Sequence, residues 1–510
     1  MTLLRWLLAP EPAGPIARRR RFVRRPRPSV RRHDLPATHP VRLRGRDVEP
    51  RARVMTWRDR LLPDVLLVLL LFAISFGHNM IGVHETAFHP DESRWLNRAY
   101  YIRDLADPFG PTWQDYVTTV GQPPLGSYVM GVGLAVQGRP LDATGVWDFA
   151  YGTDWNAQAG ASPSAADLTA GRQTNALIGA LVVAVVYVLG RLLTNRAGGL
   201  LGGLFLAFHP LHITLSSQAL SDETFVLVLA LSFLAAWFFA KRPTWGRAIL
   251  LGILLGLGGA AKLSPLLLSL PLAGFGVLRL IVDRDRAARD YAIKLLLQPV
   301  IAFATFVAVY PFLWPDPIRR TWELFQFRAT EMQGQATAWP EVAVTSPLDA
   351  VGRFGARLTE IDSTTKRLVQ VLYDVIGIER TATGIDFIPA IAGLILLLFW
   401  VIKYGFWTST ALVTLLMGAE VGAMAVGMGT DFYRYHLPIV VIMALWIAVA
   451  TGAAWDRLVP FVRKRAWQPA RRTAIAPVPA AQPARQPRER LPLMPREASF
   501  RASTPQDPQP

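Results

Sequence analysis

Cysteine is absent from all 510 residues, which excludes disulfides, thiolate metal sites and cysteine nucleophiles together. A cleavable leader is not expected either. Met1–Pro10 holds only a short apolar run, and the arginine block Arg18–Arg21, Arg24, Arg25, Arg27, Arg31 and Arg32 follows it, so the first long apolar segment is expected to be its own anchor. The ends of the chain have little acidic charge. Residues 1–60 hold 17 Arg against 5 Asp/Glu, and residues 457–510 hold 11 Lys/Arg against 3, so the tails carry +12 and +8 of a formal net charge of +17 and the stretch between them is left at −3. The basicity therefore belongs to two Pro- and Arg-rich tails and gives no support to a nucleic-acid-binding fold. The middle of the chain is apolar. The whole is 52% hydrophobic, with repeated runs near the twenty residues that span a bilayer, which predicts an all-α polytopic membrane protein.

Three regions follow: a basic disordered cytoplasmic tail over 1–60, a transmembrane domain over 61–457 and a second disordered cytoplasmic tail over 458–510. Leu61–Ile81 is the first expected span. No second span is evident before Arg172, because Pro123–Val136 is apolar but short and rich in Gly and Pro, and is expected to be re-entrant or surface-lying. The remaining spans then run over roughly 172–194, 197–211, 220–240, 246–262, 264–282, 291–314, 385–402, 406–427 and 436–457, making ten. This count puts Arg191/Arg196, Lys241/Arg242/Arg247, Arg279/Arg284/Arg286/Arg289, Lys403 and both basic tails on one side, as the positive-inside rule requires. A crossing at 123–137 would put these clusters outside. In the ten-span topology the long outer loops are 82–171 and 315–384, and helical patterns near 318–333 and 349–376 are mixed enough to lie on the membrane surface.

Nearly all the unusual polar residues then fall on the outward turns. The first such turn carries Phe88-His89-Pro90-Asp91-Glu92-Ser93-Arg94-Trp95, and the next His209-Pro210-Leu211-His212 followed by Ser221-Asp222-Glu223. Lys262 stands in an apolar Gly-Gly-Ala-Ala-Lys-Leu-Ser-Pro hinge, and the last turn reads Asp431-Phe432-Tyr433-Arg434-Tyr435-His436-Leu437-Pro438. Charged groups beside a bilayer core commonly mark chemistry, an ion path or a head-group site. Each has a plainer reading. Asp91 and Glu92 suit a helix start, Ser221 or Asp222 an N-cap, Lys262 a snorkelling lysine, and Arg434 an interfacial anchor. His84, His89, His209 and His212 fit no closed zinc site, so no metal is expected. Taken together, acidic pairs with Arg and Lys at neighbouring helix mouths suit a reaction on a lipid-borne phosphate, in which a cation holds the leaving phosphate and a carboxylate takes a proton.

The order of these motifs also resembles a known group. Asp91-Glu92 after the first span, Gln122-Pro123-Pro124-Leu125-Gly126, Arg172 at the next span, Ser221-Asp222-Glu223, and Arg434-Tyr435-His436-Leu437-Pro438 are similar to the protein O-mannosyltransferases, glycosyltransferase family 39 of the GT-C superfamily, to which the lipid A aminoarabinose transferases are related. The resemblance covers roughly 61–457. It implies a GT-C-type helix bundle that transfers one sugar, mannose in this family, with inversion from a polyprenyl-phosphate carrier to an acceptor hydroxyl of a protein, glycan or glycolipid on the outer face of the cell membrane, with no obligatory metal or cofactor. It further implies Asp91 as general base with Glu92 beside it, Asp222, Glu223 and Arg172 in sugar or acceptor positioning, and Arg434 on the donor phosphate with Tyr435 alongside. The chain departs from the pattern at Gln122-Pro123, where relatives carry His-Pro or Lys-Pro, and Lys262 or Arg94 would have to supply the missing cation. No large insertion for acceptor recognition is visible in 315–384. Two other classes of function remain open, a transporter or flippase of polyprenyl-linked glycans, for which polar residues in mid-span and an inverted repeat would be expected, and a non-catalytic membrane scaffold.

Overall fold

The computed structural model describes residues 57–114 and 122–466, so the two expected tails lie outside the described residues except for 57–60 and 458–466. Among the described residues, helices are the only regular elements apart from one antiparallel bridge, Ala343 to Thr430. The described residues up to Arg457 form one compact unit; of the second, which begins at Leu458, only the helical stretch to residue 466 is described.

Among the described residues, eight helices are long and apolar enough to cross a membrane: Leu61–Glu85, Ala165–Leu193, Asp222–Lys241, Ser264–Val282, Arg286–Ala308, Phe387–Tyr404, Ser409–Gly427 and Tyr433–Val459. The expectation of ten full spans is corrected at two places. Arg196–Ala207 and Pro210–Ser216 form a pair bent by 64°, which makes nine spans if the pair counts as one. Pro210 is the physical cause, since it lacks an amide donor and its ring clashes with the preceding turn. Trp245–Ala261 has only 17 residues, about 25 Å of helix against a hydrocarbon core of about 30 Å. Leu125–Val136, at 12 residues, is shorter still, as its Gly- and Pro-rich composition predicts.

The bundle has two polar ends. At one, Asp64 of the first helix (Trp57–Glu85) accepts from Tyr187 Oη at 2.8 Å, Arg191 Nε at 2.6 Å and Arg196 Nε at 2.8 Å. The bent pair starts there with Arg196 and reaches the other end, where the Ala219 amide just beyond it donates to Glu92. Between the ends, small residues let helices cross closely. Gly198, one of four glycines in Arg196–Ala207, lies against the Ala448 carbonyl, and Gly393 against that of Trp446; a Cβ at either would strike the neighbouring backbone.

The connection 315–384 folds into Pro317–Ala338, Pro347–Ala356 and Thr364–Ile376 with short turns between. Thr364–Ile376 leaves Leu368, Val371, Leu372, Val375 and Ile376 exposed on one stripe, the pattern of a helix lying in a membrane surface. This segment is fastened to the turn before the last span. Val344 donates to Gly429 at 2.9 Å and Asp431 to the Val342 carbonyl at 2.7 Å.

Candidate active site

His89-Pro90 starts the helix Pro90–Asn97 and aims its two carboxylates apart. The Asp91 amide donates to His89 Nδ1 at 3.1 Å, the His89 amide donates to Glu92 Oε2 at 2.9 Å, and Pro90 occupies a position that needs no donor. Glu92 is fully buried. Arg172 grips it with two parallel bonds, Nε to Oε1 and Nη2 to Oε2, both 2.8 Å, and the Ala219 amide adds a third at 2.8 Å. The remaining donors of Arg172 go to the carbonyls of Val83 and Thr86, both at 2.9 Å, and Ala87 at 3.3 Å. The helix that carries Arg172 begins at Ala165, capped by Ser164, so Arg172 lies two turns inside it rather than opening it. Arg172 and Glu92 thus staple the end of the first span to the reactive turn, and neither has a bonding position left over.

Asp91 faces the other way, onto Arg434, 343 residues later, as an ion pair whose carboxylate is still 17% exposed. Burial works to raise the Asp91 pKa, but the Arg434 guanidinium, helped by His89 and Arg94, outweighs it and holds the carboxyl below its ordinary range. Tyr433, next to Arg434, donates to Gln218 Oε1 at 3.0 Å, and the Tyr435 ring lies 5.5 Å from both the Arg434 guanidinium and Lys262 Nζ.

Asp222 and Lys262 form the second pair, at 2.5 Å, with Asp222 almost wholly buried. Ser221, at the N-cap, makes no capping bond through its side chain, and Lys262 points to Asp222 over the Phe225 ring at 5.4 Å instead of snorkelling. Glu223 points into the bundle, where Ser216 Oγ donates to it at 3.0 Å and His212 Nδ1 lies 3.2 Å away. Arg94 is engaged by the 147–149 turn, through the Trp147 carbonyl at 3.2 Å and the Phe149 ring at 4.4 Å. The structure therefore gathers Asp91, Asp222, Lys262, Arg434 and Tyr435, while Glu92, Arg172 and Glu223 form the buried frame behind them.

Two further carboxylates belong to this neighbourhood, Glu420, which the sequence did not single out, and Asp431, which it placed on the last outward turn without a role. Glu420, a lone carboxylate within Ser409–Gly427, is fully buried and receives Ser264 Oγ at 2.9 Å, two residues from Lys262; a single acid inside a span is the mark that would have found it. Asp431 binds His436 Nε2 at 2.6 Å, Arg353 at 3.4 Å and Arg357 at 3.5 Å, linking the 315–384 segment to the turn that holds Arg434.

Residues 114–314 match the family described as dolichyl-phosphate-mannose-protein mannosyltransferase. This mannosyltransferase-like segment includes Gln122–Gly126, Arg172, Asp222, Glu223 and Lys262; Asp91, Glu92 and Arg434 lie outside it. No curated protein matches the chain. Among solved structures, an oligosaccharyltransferase from Archaeoglobus fulgidus tethered to an acceptor peptide is 14% identical, with a TM-score of 0.47 over 80% of this chain and 51% of its own. ArnT from Cupriavidus metallidurans bound to undecaprenyl phosphate is 15% identical, with a TM-score of 0.42 over 80% and 62%. The Saccharomyces cerevisiae protein O-mannosyltransferase Pmt1-Pmt2 complex bound to the sugar donor is 16% identical, with a TM-score of 0.37 over 49% and 33%. The chain spans about half the length of the archaeal enzyme.

Proposed function

We propose that the chain is a GT-C-type membrane glycosyltransferase that moves one sugar, with mannose the first choice, from a polyprenyl-phosphate carrier to an acceptor hydroxyl of a protein, glycan or glycolipid. The observation that carries this reading is the meeting of Asp91–Arg434 with the Asp222–Lys262 pair, the latter inside the mannosyltransferase-like segment. In this scheme the acceptor oxygen attacks the anomeric carbon while the bond from that carbon to the phosphate oxygen breaks. The bonding pair leaves on the carrier phosphate, and the acceptor proton passes to Asp91. One displacement with one base inverts the anomeric centre, and the atoms balance without a cofactor.

The resting Asp91–Arg434 pair gives the donor a second task. When its phosphate engages Arg434, Asp91 loses its strongest cation and becomes a better base, so donor binding primes proton abstraction. Lys262 stands ready for the same phosphate, with Asp222 on the sugar or acceptor side and Tyr435 lining the space between. Glu92, Arg172 and Glu223 hold this arrangement from behind. The cell membrane is the proposed location, with both termini cytoplasmic and the site on the outer face, where the positive-inside pattern puts it. A translocation path is disfavoured by the one-to-one pairing of the charges at a single end of the bundle.

The test is to incubate the purified chain in lipid with a panel of radiolabelled polyprenyl-phosphate sugars and membrane extracts. Label should move from the carrier to protein or glycan for one sugar. Failure of every donor to yield labelled acceptor, while carrier lipids cross the bilayer, would favour a flippase instead.

A further inference from the structure

We propose that Arg98 is the cation that receives the carrier phosphate as it leaves the sugar, an inference that rests on the glycosyl-transfer reading above. Four of the five cations around the site already have partners: Arg172 has Glu92, Lys262 has Asp222, Arg434 has Asp91, and Arg94 has the Trp147 carbonyl and the Phe149 ring. Arg98 is 6% exposed and stacks over the Trp95 ring at 5.5 Å, and among the described residues it makes no hydrogen bond and no ion pair. A buried guanidinium with no hydrogen-bonded counter-ion is unfavourable, so such a group is retained where something else supplies the anion.

Its position fits that anion. Asp91, Arg94 and Arg98 follow one another at i, i+3 and i+7, so they share one face of the helix Pro90–Asn97 and the turn Arg98–Tyr100 that continues it. The Trp95 ring beneath Arg98 packs against Gly126, which on its other contact meets Ser221, the residue before Asp222. Asp91, Arg94, Tyr101 and Tyr310 lie within electrostatic reach of Arg98, and Tyr310 Oη faces the Gln122 carbonyl at 3.5 Å.

The chemistry of the leaving group points the same way. A polyprenyl-phosphate sugar is a phosphodiester with one negative charge, whereas the departing monoester approaches two at neutral pH, so the attraction of Arg98 grows as the glycosidic bond breaks.

Binding of a polyprenyl monophosphate and of the uncharged polyprenol to the full chain in nanodiscs tests this. The wild type should prefer the phosphate. Arg98→Gln should raise the Kd for the phosphate by about 10- to 100-fold, the effect of losing a charge-assisted hydrogen bond, and leave the alcohol unchanged, with Arg98→Lys between the two. An unchanged preference in Arg98→Gln, or an equal loss for both lipids, would overturn the role of Arg98 while leaving the glycosyl-transfer reading standing. Inorganic phosphate bound as tightly as the lipid would overturn the carrier as the ligand. A wild type that does not distinguish phosphate from alcohol would remove the transfer reading itself, and this inference with it.

Discussion

At the first turn of the helix Pro90–Asn97, Glu92 faces Arg172 and the Ala219 amide while Asp91 faces Arg434, so substituting the two carboxylates should give different phenotypes. Asp91→Asn should lower turnover by about 10²–10⁴-fold, the usual loss of a general base, and leave thermal unfolding in detergent nearly unchanged. Glu92→Gln should instead destabilise the fold by about 3–5 kcal/mol, because it leaves a buried arginine short of its counter-charge. Equal losses of turnover at equal stability would return both residues to the chemistry. The Asp91 carboxyl lies below its ordinary range because of Arg434, so in the free protein it stays ionised as the pH falls through the normal aspartate range. Arg434→Gln removes that cation, and the acidic limb of kcat/KM should move to higher pH, by about 1–3 units. A limb that stays in place would mean that another group titrates there. Local sequence does not separate Asp91 from Glu92, since both are acids in one first turn. What separates them is Arg172, 80 residues away from Glu92.

The helices and their connections were legible to different degrees. Long apolar runs predicted the membrane helices because hydrophobic length is a local property, and Leu125–Val136 was predicted to be too short for the same reason. The break at Pro210 is also written locally, yet a ten-span count passes over it because the apolar run on either side continues. The attachment of the 315–384 segment could not be foreseen. It depends on Asp431 meeting Arg353 and Arg357, and on Val344 and Asp431 pairing their backbones with residues far along the chain. Asp431→Ala removes the carboxylate that both arginines pair with and should raise the rate of limited proteolysis within 315–384 several-fold, with little change in the unfolding of the bundle. If cleavage is unchanged, the backbone pairing alone holds the segment.

For the molecule as a whole, the absence of cysteine makes the native chain a clean background for single-cysteine labelling. Cysteines at Asp142 and Leu348, on the connections beside the proposed site, should react with a membrane-impermeant maleimide in intact cells, whereas one at Arg284, on a basic turn, should react only after permeabilisation. The reverse pattern would invert the topology and place the proposed site on the cytoplasmic face. By itself the sequence determined the class of the protein, the location of its positive charge and the order of its candidate motifs, because hydrophobic length, residue type and the distribution of charge along the chain are all properties of short segments. Only the tertiary structure decided which carboxylate pairs with Arg172 and which with Arg434, which cations form ion pairs, and that Arg98 forms none among the described residues. Those outcomes depend on pairs of residues brought together across up to 343 positions, and the charge balance of a buried site exists only once the helices have packed.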